Sequence, residues 1–138
     1  MILYLISSLA ARVATVMCVG VILLPYGLRR NRMGRGLGLT GERTVSYMRR
    51  LWPHFWLGYL ILALSILHAG TVMMVSSRAN RTGVFAASAA FFLLLLEVSL
   101  GLSLKDGAPS ARKTLRRAHF WTMLGFVGTL GVHLWLNG

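Results

Sequence analysis

The sequence predicts an all-α integral membrane protein, a four-helix bundle running up-down-up-down as one domain over residues 1–138. Three observations carry that expectation. Hydrophobic residues make up 56% of the chain and charged residues only 13%, against about 25% charged in soluble domains. Four stretches, near residues 1–24, 51–75, 83–104 and 118–136, are long and apolar enough to cross a bilayer, for which about 20 residues suffice. Basic or polar connections separate them.

The first span carries small residues at Ser7, Ala10, Ala11 and Ala14, which suit close helix contacts in lipid. Pro25 is expected to end it, since proline cannot continue the hydrogen-bond ladder. No basic side chain precedes Arg12 and the apolar run continues to Leu24, so the segment reads as a retained span and not a cleaved leader. Arg12 lies near its centre, where a charge is costly; it reads either as a functional residue, a candidate with Glu97 for a proton or quinone site, or as a side chain that reaches polar groups inside the bundle or snorkels outward. The single cysteine, Cys18, excludes a disulfide framework and reads as a packing residue.

Residues 26–50 hold seven arginines and one acid, Glu42. The glycine-rich run at 34–41 lacks the preceding strand and following Lys-Ser/Thr of a phosphate loop. Val45, Met48, Leu51 and Trp52 fall at helical spacing, which predicts a short amphipathic helix on the membrane surface leading into the second span. That span opens with Pro53 in its first turn, and Trp52 and Trp56 suit an interfacial belt. Residues 76–82 form a polar turn with Arg78 and Arg81, and the third span holds one acid, Glu97. The loop at 105–117 then carries five basic residues against Asp106.

Charge sets the expected orientation. The first and third connections hold seven and five Lys/Arg, the second only two. By the positive-inside rule the two basic connections are cytoplasmic and both termini lie outside. The net charge of +12 is thereby an orientation signal with attraction to anionic lipid added, and not a nucleic-acid footprint.

All four histidines fall on the second and fourth spans: His54 and His68, then His119 and His133, fourteen residues apart in each case. Fourteen steps of about 100° return to nearly the same helix face, roughly 21 Å along the axis. Spans two and four run parallel by parity, so His54 meets His119 on the cytoplasmic side and His68 meets His133 on the outer side. Two such pairs meet the requirement for two non-covalent haems with bis-imidazole ligation; no Cys-x-x-Cys-His attachment motif exists. Neutral imidazoles also need acceptors for the second ring nitrogen, a role open to backbone carbonyls or Ser/Thr. The alternative is a haem-free metal site or polar helix packing, the former disfavoured because acids and cysteines are absent near the histidines. Gly58, Gly70, Gly125, Gly128 and Gly131 read either as helix-packing positions or as room for a porphyrin.

This pattern resembles the di-haem core of cytochrome b in quinol:cytochrome c reductases, and more distantly the membrane domains of ferric reductases and NADPH oxidases. The resemblance implies that Arg116, three residues before His119, serves a haem propionate, and that Ala87 and Gly101 leave room for the two rings. The first span departs from it: Gly20 has Ile6 fourteen residues earlier. Quinone-site motifs of the longer chains have no counterpart.

The expected function is transmembrane electron transfer through two haem b groups, as a membrane subunit of a respiratory or related redox complex. It would link a quinone or cytoplasmic donor to an outer-face partner such as a cytochrome, in the inner membrane and with self-association open. The residues outside the spans are too few for a nucleotide-binding domain, so soluble redox partners are expected on other chains. Arg49 or Arg50 would join Arg116 at the cytoplasmic haem, with Arg78 and Arg81 the candidates at the outer one. Glu97 is a candidate proton or quinone site, with an ion pair to Arg12 as its alternative. A terminal membrane reductase acting on oxygen species or ferric chelates, and a haem-free membrane anchor, are the competing functions.

Overall fold

The computed structural model describes residues 2–29, 51–75 and 80–137. Among these residues the regular elements are four α-helices: α1 (Ile2–Arg29), α2 (Trp52–Val75), α3 (Arg81–Asp106) and α4 (Arg112–Asn137). The fold is all-α, and α1, α2 and α3 are long and apolar enough to cross a membrane. The fourth helix is as long as α3, 26 residues, but is not among those three. Two histidines, two tryptophans and three glycines dilute its aliphatic content between residues 118 and 136.

The helix ends differ from expectation for identifiable reasons. Pro25 does not stop α1, which continues another turn to Arg29. A proline inside a membrane helix persists when a neighbour satisfies the carbonyl it strands. Here that carbonyl, four residues back at Val21, accepts from the His54 ring. Asn80 caps α3, its side chain accepting from the Thr82 N–H at 3.1 Å, so the helix starts two residues before residue 83. The expected loop at 105–117 contracts to residues 107–111, and Arg112, Lys113, Arg116 and Arg117 ride on the first turns of α4. Gly107 ends α3 by donating to the Ser103 carbonyl at 2.8 Å. A Cβ there would collide with that same carbonyl, so the turn requires glycine. The expected surface helix before the second span, with Arg49, Arg50 and Arg78, lies outside the described residues.

The chain divides into two compact units, Met1–Val72 and Met73–Gly138. In the first, α1 and α2 form an antiparallel hairpin, with Val21 beside His54 and Ser7 beside His68. Its buried residues are Ser7, Ala10, Ala14 and Cys18 along one face of α1, with Ile61 and Thr71 of α2. The second unit is the hairpin of α3 and α4, with Gly83 beside His133 and Glu97 beside His119. Its stripe is Gly83, Ala86, Ala90 and Leu94, with Phe126 from α4. Both stripes step by three, four and four residues, the ridge spacing of one helix face. Small side chains let the backbones approach, the packing available where lipid removes a hydrophobic drive between helices. Large apolar side chains such as Val16, Leu23, Leu60, Phe85, Phe92 and Val132 face outward, where lipid replaces water as their solvent. The protein is a membrane protein in contact with lipid.

Candidate functional site

Each histidine of the second helix in a hairpin turns its Nδ1 toward a polar group of the first helix, by hydrogen bond for His54, His68 and His133 and as a close polar contact for His119. His54 Nδ1 lies 3.2 Å from the Val21 carbonyl. His68 Nδ1 lies 3.2 Å from the Ser7 carbonyl and 2.9 Å from the Ser7 hydroxyl. His133 Nδ1 lies 3.2 Å from the Gly83 carbonyl, and the Asn137 amide closes over the same nitrogen at 3.2 Å. His119 Nδ1 lies 3.1 Å from Glu97 Oε1.

The partners decide the tautomer. A carbonyl oxygen only accepts, so on His54 and His68 the proton belongs on Nδ1 and Nε2 of the neutral ring carries the lone pair; on His133 the Gly83 carbonyl calls for the same tautomer and the Asn137 amide N–H for the other. A histidine that ligates a metal through one nitrogen characteristically anchors the other in this way. The carbonyl and serine acceptors match the class expected from sequence; a carboxyl partner for His119 was not anticipated.

The anchors themselves repeat. Ser7 and Val21 are fourteen residues apart on α1, as are Gly83 and Glu97 on α3. The first helices correspond at an offset of 76 residues, which maps Ser7, Ala10, Ala14 and Cys18 onto Gly83, Ala86, Ala90 and Leu94. The second helices correspond at an offset of 65, which maps His54, Ile61 and His68 onto His119, Phe126 and His133. Ile61 and Phe126, midway between the histidines, are buried in both hairpins. One signal of the repeat was present in the sequence: His54-Phe55-Trp56 recurs as His119-Phe120-Trp121.

Glu97 is the acid of this site. Its side chain is 14% exposed; its second oxygen is buried with no hydrogen-bond partner among the described residues, and His119 Nδ1, also buried, meets the first as a polar contact outside hydrogen-bond geometry. Gly101, one turn further along α3, sits against the His119 ring, with its Cβ position 3.8 Å from Cε1. Ala87 is half-buried beside the α3 stripe. Arg12, expected near the bundle's interior, is exposed on α1, on the face opposite the buried stripe, which agrees with outward snorkelling. Arg116 is exposed and its Nε donates to the Arg112 carbonyl at 3.2 Å. Arg81 is exposed at the start of α3.

Several glycines leave space and not contact. A Cβ on Gly20, Gly58, Gly70, Gly128 or Gly131 would meet no described atom within 4 Å, whereas one on Gly125 would touch Leu93 at 3.5 Å. Gly58 lies one turn beyond His54 on the same face. Among the described residues no three His, Cys, Asp or Glu side chains converge as a metal cluster needs; a haem asks the protein for only two ligands per iron. Of these open positions Gly58 lies beside a histidine, as Gly101 lies against His119, whereas Gly20, Gly70, Gly128 and Gly131 are exposed on the helix surfaces. Comparison with known protein families, curated proteins and solved structures returns no match.

Proposed function

We propose that this chain is a membrane electron-transfer protein holding two haem b groups, one on His54 and His119 and the other on His68 and His133. The observation that carries the reading is the Nδ1 hydrogen bonding of His54, His68 and His133 to carbonyls on the preceding helix, with His119 Nδ1 set 3.1 Å from the Glu97 carboxyl at the equivalent place, at two levels fourteen residues apart. Polar helix packing needs no such repetition. Ligation through Nε2 does, because the anchor fixes tautomer and ring orientation together.

The division into pairs comes from span parity, taking α4 as a crossing: no Asp, Glu, Lys or Arg lies between Ala118 and Leu136, and 26 residues extend about 39 Å at 1.5 Å per residue. Haem iron, when bound, supplies one-electron exchange at each level. The chain's own residues hold orientation and exclude water. The Val21, Ser7 and Gly83 carbonyls and the Glu97 carboxyl fix the rings, the small stripes keep the helices close, and the outward apolar shell keeps the site dry. Arg116 stands three residues before His119, where a guanidinium can offer a charge-assisted fork to a propionate.

The basic connections place the His54/His119 level toward the cytoplasm of the inner membrane and the other level outward. Redox partners on other chains, with a quinone or cytoplasmic donor on one side and a cytochrome-like protein on the other, complete the reading. Individual alanine substitutions of the histidines test the pairing. His54→Ala and His119→Ala should abolish the same haem signal, and His68→Ala and His133→Ala the other. Loss of the same haem from His54→Ala and His133→Ala would overturn the pairing.

A further inference from the structure

The two hairpins build the same histidine anchor twice, and at one pair of equivalent places they differ in charge. Val21 and Glu97 correspond at the offset of 76, and each meets the first histidine of its hairpin, yet one offers a neutral carbonyl and the other a carboxyl. At the second level both partners are neutral: Ser7 for His68, and Gly83 with Asn137 for His133. The asymmetry therefore belongs to one level only.

Its chemical consequence has a definite sign. A carboxylate 3.1 Å from Nδ1 is placed to draw on its proton once iron occupies Nε2, which would make the imidazole a stronger donor. Stronger donation stabilises the ferric over the ferrous state, and a nearby negative charge acts in the same direction. Only 14% of the Glu97 side chain is exposed, so solvent screens the charge weakly. The second oxygen of Glu97 is buried with no hydrogen-bond partner among the described residues, and His119 Nδ1 is buried too, so the two side chains meet as a 3.1 Å polar contact closed to solvent.

We propose that Glu97 is a positioning residue acting on iron through His119, and that it makes the haem on His54 and His119 the lower-potential of the two. The proposal rests on the haem reading above and goes beyond it by ranking the two sites. Electrons would then run downhill from the His54/His119 level to the His68/His133 level.

The test uses the full-length chain purified with its haem, as wild type and as Glu97→Gln, which keeps size and hydrogen bonding but removes the charge. Haem content is measured first by pyridine haemochrome, then both midpoints by potentiometric titration of the α-band. The variant should hold two haems, with one midpoint raised and the other unchanged. A shift of about tenfold in the ferric/ferrous balance corresponds to about 59 mV for one electron. Two haems with both midpoints as in wild type would overturn the proposal while leaving the haem reading intact. If the variant sheds one haem, near-infrared magnetic circular dichroism of the wild type decides. One ferric haem with imidazolate character supports the proposal; two with the same neutral-imidazole signature overturn it. A folded wild type that takes up no haem would overturn both readings.

Discussion

Replacing Pro25 with alanine sets two hydrogen bonds in competition for one acceptor. In wild type, residue 25 has no N–H, so the Val21 carbonyl lacks its intrahelical donor and takes the His54 Nδ1–H at 3.2 Å instead. Alanine restores the donor. The helix should gain, because an interior proline costs up to about 3 kcal/mol and the recovered bond is worth about 0.5–1.5 kcal/mol net. The His54 anchor should lose, because it now shares its acceptor. The carbonyl has two lone pairs, so the loss is partial, at most about 1 kcal/mol, or about fivefold in affinity. Haem titration into detergent-solubilised apoprotein, followed at the α-band, should show one site weakened several-fold and the other unchanged. Thermal unfolding by far-ultraviolet circular dichroism should show α1 no less stable than before. Unchanged affinity at both sites, or equal weakening of both, would refute the idea that Pro25 frees a carbonyl for His54.

Two further outcomes follow from the same contacts. Ser7→Ala removes the 2.9 Å hydroxyl partner of His68 but leaves the Ser7 carbonyl, so haem affinity at that level should fall by no more than about fivefold; complete loss of that haem would show that the hydroxyl carries the anchor. Ala14→Leu and Ala90→Leu, 7% and 5% exposed at equivalent places in the two stripes, should each destabilise the protein by about 1–3 kcal/mol through overpacking. Ser88→Leu, on the exposed face of α3, should stay within about 0.5 kcal/mol, and equal melting of Ala90→Leu and Ser88→Leu would remove the stripe from the packing scheme.

Much of the fold was legible because helical periodicity and apolarity are properties of single segments. The small residues Ser7, Ala10 and Ala14 and the packing role of Cys18 all lie in the buried stripe. The histidines announced themselves by spacing, and their need for carbonyl or hydroxyl acceptors followed from imidazole chemistry. What was not legible depends on a second helix. Pro25 reads as a stop only until His54 supplies a donor for the carbonyl it strands. Glu97 reads as a proton or quinone site, or as an ion-pair partner for Arg12, with nothing in the sequence pointing to His119 3.1 Å away, while Arg12 lies at the exposed surface. The repeat was hidden for another reason. The two helices of a hairpin obey different offsets, 76 and 65, and beneath them little recurs beyond a few alanines, the histidines and one His-Phe-Trp run.

The most direct measurement is the haem content of the purified full-length chain, read as a pyridine haemochrome spectrum against protein concentration. Four anchored histidines acting as two axial pairs predict two haem b per chain, extractable without covalent cleavage and low-spin in both oxidation states. A folded, monodisperse protein that remains haem-free after growth and reconstitution with excess haem, its histidines intact, would contradict the central claim and leave the anchored histidines as helix-packing groups.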